Sequence, residues 1–294
     1  MTKHSQIKSP ALMESQFLNR AGFVLFLIIA VLPIIFSIVF SLVYSLGLFG
    51  YFGEGFTFEY FARIFSASEI LPAFLLSGYV AAISTLLTVG LGLFIAQYLG
   101  QSIRKGSLSV AIYLPLILPS AVAGLFIYLL LSDSGLVARA LNAAELVSPS
   151  AWVPLVNDKW AIGIILTHVG LGVPFFALLF AQISEKSRLT DITNLCHALG
   201  ASPATAFRKA IIPILLFRAR PQVLLSFIFV FGSFEIPAIL GSHTPEMISV
   251  LAVRKLGLFD IGQKPEAFVV AFIYSVVVIS LLLVFYKKRI KNGN

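Results

Sequence analysis

The chain has 294 residues, of which 59% are apolar and only 12% charged, with 27 Phe and a mean hydropathy of +0.97. Soluble domains carry roughly 25% charged residues, so a water-soluble enzyme, a disordered chain and a disulfide-rich secreted domain are excluded. The lone cysteine, Cys196, cannot form an intrachain disulfide, and no Cys/His pair has metal-ligand spacing; a net charge of +8 would suit a nucleic acid, but its distribution points to membrane topology instead.

Six stretches reach the about 20 apolar residues that cross a hydrocarbon core. After a basic segment, 1–20, the first is Ala21–Leu46; with no small-x-small cleavage site closing a short apolar core, it reads as a retained span rather than a signal peptide. The second, Ile70–Leu99, has Gly92, Ala96 and Gly100 at i, i+4 and i+8, a stripe of small residues suited to close helix approach. The third, Gly106–Ser132, holds Pro115 and Pro119. The fourth, Ala161–Ile183, holds His168 and Pro174, and the fifth, Pro221–Ser242, holds Glu235 and Pro237. The sixth, Ala267–Tyr286, precedes a basic tail, 287–294. In lipid every backbone polar group must be satisfied internally, and no stretch alternates with period two, so the fold class is an all-α membrane protein with six transmembrane helices over 21–286.

Orientation follows from Lys and Arg. Segments on the side of the termini hold 15 of them and the opposite side holds 6. The positive-inside rule therefore places both termini and the 184–220 loop in the cytoplasm, the excess charge facing lipid headgroups rather than nucleic acid.

That loop is too long to be structureless. Ile192, Leu195, Cys196 and Leu199 share one face of a short amphipathic helix, with Thr190 or Asp191 to cap it and Gly200 to end it. Ser202-Pro203 opens a second helix, which Pro213 is expected to end. Two short helices crossing at a glycine form either a docking surface or a hairpin lying on headgroups.

These residues resemble the cytoplasmic EAA signature of ABC importer permeases. Gly200-Ala201-Ser202 matches its Gly-Ala-Ser core, and Ala210-Ile211-Ile212-Pro213 its hydrophobic ending, in register. Asp191 and Leu199 fit the flanking pattern, but Asn194-Leu195-Cys196 stand where the family has Glu-Ala-Ala, so the acid is lost. The Phe56–Phe61 run, the Leu-Pro pairs of the third span and the segment 135–142 are also similar to the family's. The resemblance implies an importer-permease helical fold and an ATPase-docking loop carried by Asp191, Asn194, Leu195, Gly200, Ala201, Ser202 and Pro213. It also implies partners: cytoplasmic ATP-binding subunits, a second permease subunit (same or different chain) and an extracytoplasmic solute-binding protein. No Gly-x-x-x-x-Gly-Lys-Ser/Thr loop occurs, so the chain reads as no enzyme and as needing no cofactor, ATP being hydrolysed on a separate subunit.

Transporters place solute sites where helices break, and the prolines mark candidate breaks in spans three, four and five. Glu235, the only formally charged residue in a span, costs about 2.5–3.5 kcal/mol to insert and so is a pathway candidate; His168 and Pro119 are weaker ones. Phe231–Gly241 with Glu246 and Glu266 is similar to permeases of the spermidine/putrescine subgroup, which implies a polyamine as solute. Iron, thiamine, sulfate and phosphonate carriers are alternatives within the family. An ion-coupled secondary transporter is the alternative outside it, although no internal repeat and only one buried acid occur; a membrane-embedded enzyme would need clustered catalytic groups that the spans lack.

Overall fold

The computed structural model describes residues 22–50, 55–105, 108–148, 152, 155–258 and 261–291. The segment 1–20 and the last three residues of the tail lie outside them. Every regular element among the described residues is helical: α1 Gly22–Ser45, α2 Glu59–Ser66, α3 Ile70–Lys105, α4 Leu108–Ile117, α5 Ser120–Leu131, α6 Leu136–Ala143, α7 Ile162–Lys186, α8 Leu189–Ala198, α9 Pro203–Phe231, α10 Glu235–Leu240, α11 Ile248–Gly257 and α12 Lys264–Lys291. Six stretches are long and apolar enough to cross a membrane: α1, Ile70–Tyr98 of α3, Ser120–Ala143, α7, α9 and Lys264–Lys287 of α12. The number and order agree with the sequence reading.

The contacts divide into two units. One comprises the residues up to Ser66 and those from Lys255 onward. In it α1 lies on α12, with the rings of Tyr44 and Phe268 4.3 Å apart and Phe40 edge-on to Phe268. The side chains of Lys255 and Glu266 form a buried ion pair at 2.9 Å.

The other unit runs from Ala67 to Arg254, and α7 is its axis: 61% of its apolar window is buried, against 39% for α3. Small residues allow α3 to press against α7. A Cβ on Gly92 would stand 2.6 Å from Phe176 Cβ, and one on Gly172 2.7 Å from Thr88 Cγ2, so nothing larger than hydrogen fits at either crossing point. Lipid tails are as apolar as the side chains, so this association rests on close van der Waals packing rather than on a hydrophobic drive.

Three expectations about prolines are corrected. The helices run through Pro115 and Pro174 without a break, whereas Pro119 is extended (φ −59°, ψ 143°) and separates α4 from α5. Pro213 does not end its helix. A π turn at Phe207–Ile211 widens the backbone just ahead of it, relieving the clash between a proline ring and the preceding turn. The short helix expected from Ser202 and the fifth span are therefore one continuous helix, α9. It ends at Phe231, and residues 232–234 break the chain before α10, so Glu235 opens a new helix instead of lying in the middle of one, and the break precedes Pro237 rather than falling at it.

Candidate functional site

Two sites emerge, both within the unit of residues 67–254. The first is α8 and its exit. Arg188, in a left-handed conformation (φ 49°), precedes α8, so the start is earlier than a Thr190 or Asp191 cap would give. Leu189 is buried and Ile192 packs beside it, in a cluster with Phe180, Ile211 and Leu215; these residues pin one side of the helix. The other side is free: Asp191 and Asn194 are exposed, as are Leu195 at 62% and Leu199 at 80%. Gly200 turns the chain at φ +83°, its N–H donating to His197 O and that of Ala201 to Cys196 O, both at 2.9 Å. A left-handed residue at a helix C-terminus is where glycine carries no steric penalty. Ser202 then caps α9, its Oγ accepting from Thr205 N–H. Ala201 is half-buried and Pro213 exposed on the first turns of α9. The result is a rigid elbow that holds two leucines outward from the protein.

The second site lies higher on α7 and α9. A cavity of about 280 Å³ separates them, lined by Phe175, Phe176 and Phe229 and by three polar side chains, His168, Gln222 and Ser226. Gln222 Oε1 is buried without a hydrogen-bond partner among the described residues. An orphaned buried acceptor costs about 1–3 kcal/mol. Among the described residues, no Lys, Arg, Asp or Glu lines this space.

His168 also touches the break after α9: its Nε2 is 3.1 Å from Ser233 Oγ. Ser249 Oγ donates to Ser233 O from α11. Two residues on, the carboxylate of Glu235 accepts from Ser120 Oγ, the first residue of α5 after Pro119. The breaks of the third and fifth spans thus meet, and α10 packs against α5. The sequence candidates His168, Glu235 and Pro119 converge on this region.

Glu246 and Glu266, part of the polyamine-like pattern, are both occupied elsewhere. Glu246 is nearly buried and accepts from Arg254 Nε at 2.6 Å, while Glu266 pairs with Lys255. Burial opposes the Arg254 charge, yet the hydrogen bonds and charges of Glu246 and Glu69 outweigh it and raise its pKa above the usual value. Gln222, Ser226, Ser120 and Ser233 escaped the sequence reading. Gln222 and Ser226 sit one turn apart, a polar stripe in an apolar helix that would have betrayed the cavity had uncharged side chains been weighed.

No family model matches the chain. A probable sulfate transport system permease protein of Marchantia polymorpha, cysT, is 24% identical over 227 residues, covering 76% of this chain and 74% of its own. The maltose/maltodextrin transport system permease protein MalF of Salmonella typhimurium is 27% identical over 64% of this chain and 37% of its own. The fold is that of an ABC importer permease: a bacterial ABC transporter that imports the acidic polysaccharide alginate superposes with a TM-score of 0.69 over 95% of each chain at 17% identity. In complex with its pentasaccharide-bound periplasmic protein, the alginate transporter superposes with a TM-score of 0.65. The relatives do not support the polyamine expectation: they are named for sulfate and for maltose, and the acids of the polyamine-like pattern are tied to Ser120, Arg254 and Lys255.

Proposed function

We propose that the chain is the membrane-spanning permease subunit of an ATP-driven importer, working with cytoplasmic ATP-binding subunits, a second permease subunit and an extracytoplasmic solute-binding protein. The observation that carries this reading is the α8 elbow, which is pinned through Leu189 to α7 and α9 and presents Leu195 and Leu199 outward. A push on such an elbow moves both spanning helices together. The lost acid at Asn194 leaves apolar contact as the main grip. The ATPase supplies the chemistry, and this chain converts its closure into a change of access.

The cations of α9 support the orientation. Arg208, Lys209, Arg218 and Arg220 all precede Pro221, and charges avoid the hydrocarbon core. The stretch suited to lipid then runs from Pro221 through the break to Leu240, which puts the break inside the membrane and α8 in the cytoplasm. An impermeant thiol reagent should leave Cys196 unlabelled in intact cells and reach it once the membrane is opened. Prompt labelling from outside would reverse the topology.

The cavity suits a small, uncharged, hydroxylated solute of the sugar class. Aromatic rings pack on the C–H faces of such a ring, while Gln222, Ser226 and His168 meet its hydroxyls. The maltose relative supports this reading. The sulfate relative, matched over more of the chain, favours an oxyanion instead, but among the described residues the cavity lining offers no Lys or Arg to receive one. ATP hydrolysis by the reconstituted importer, measured against maltose, sulfate and spermidine, tests both. Maltose should stimulate and Gln222→Leu should cut its uptake about tenfold, the cost of losing one buried hydrogen-bonding group. Stimulation by sulfate alone would sink the sugar reading, and absence of any co-purifying ATPase would sink the importer.

A further inference from the structure

We infer that His168 is a positioning residue that links occupancy of the cavity to the state of the helix break at 232–234; this rests on the reading of that cavity as a solute chamber. Among the described residues, His168 is the one whose side chain both lines the cavity and bonds a side chain of the break. Its buried ring lines the cavity, edge-on to Phe229, and its Nε2 bonds Ser233 Oγ. The break is otherwise held by backbone bonds to α9, Gly232 N–H to Ile228 O at 3.1 Å and Ser233 N–H to Val230 O at 3.2 Å, and by Ser249 Oγ, which donates to Ser233 O. The Ser233 hydroxyl is its side-chain tether toward the cavity. Nε2 cannot serve Ser233 and a solute hydroxyl equally well, so a solute that competes for Nε2, rather than bonding Nδ1, loosens Ser233. The next residues transmit the release: Phe234 is partly exposed, and Glu235 holds Ser120 at the head of α5. An occupied chamber thus frees the segment where the third and fifth spans meet, and an empty one keeps it latched.

The latch is tested on the full chain in lipid nanodiscs, with Cys196→Ala removing the native thiol and Phe234→Cys reporting on the break. His168→Ala should speed thiol labelling at 234 about two- to tenfold, the range that one net hydrogen bond spans. Ser233→Ala should do the same, and the double substitution should add nothing further, because both remove one bond. His168→Gln, whose amide can keep the bond, should stay near the parent. Maltose added to the parent should raise labelling as His168→Ala does. In the assembled importer, His168→Ala should raise hydrolysis without solute by a similar factor. Unchanged labelling in both single variants, or additive effects in the double, would overturn the latch. Labelling that answers to His168→Ala but not to the sugar would overturn its link to occupancy. The labelling needs no ATPase, so failure of the importer reading appears in the hydrolysis measurement alone.

Discussion

Gly200→Val should give a chain that inserts into the membrane in normal amount but no longer holds its ATPase. No atom lies within 4 Å of a Cβ built on Gly200, so the whole effect comes from the backbone, at φ +83°. A left-handed conformation costs an ordinary residue roughly 1–2 kcal/mol, and a β-branched side chain is among the least tolerant of it. The strain is relieved by unwinding the end of α8, which gives up the bonds from Gly200 N–H to His197 O and from Ala201 N–H to Cys196 O. Leu199 then loses its fixed place beside the start of α9. Because the six spans are untouched, membrane yield should equal the parent's, while co-purification with the ATPase falls by about tenfold or more, the factor that 1.4 kcal/mol represents. Gly200→Asn, which accepts the left-handed region far better, should keep most of the association. Parental complex yield from Gly200→Val would remove the elbow from the coupling mechanism.

That elbow was largely legible in the sequence. Glycine, then serine, then proline is a stop and a start written in local chemistry, and Gly200, Ser202 and Pro203 take those roles. The spans were legible because exclusion of charge over about 20 residues has few other causes. What resisted reading was non-local. Whether a proline breaks a helix depends on what surrounds it: Pro174 is accommodated within the buried α7, Pro213 follows a π turn, and Pro119 alone adopts an extended backbone. The distinction is invisible in the dipeptides themselves. Glu235 was noticed for its charge, but its meaning lies in Ser120, 115 positions away. Gln222 and Ser226 carry no charge, so their insertion cost is small and their signal weak until α7 is seen across the cavity from them.

Lys255→Met should destabilise the chain by about 3–5 kcal/mol, the penalty of stranding a buried partner charge. The side chains of Lys255 and Glu266 are only 7% and 10% exposed, and the pair joins the end of α11 to the first turn of α12. Removing one member leaves the Glu266 carboxylate without the Lys255 ammonium at 2.9 Å, while removing both takes out the two opposite charges together. Lys255→Met with Glu266→Met should therefore recover most of the loss, since well-packed apolar replacements of a buried pair are often neutral or better. Arg63 and Glu59 supply the control. They pair at i, i+4 on α2 with side chains half or more exposed, so Arg63→Ala should cost only about 0.3–0.5 kcal/mol. Thermal unfolding in nanodiscs across these four chains separates the cases. If Lys255→Met costs no more than Arg63→Ala, water reaches the pair and the start of α12 is not anchored by it. If the double variant is no better than the single, the lysine stem's packing, and not its charge, holds the end of α11.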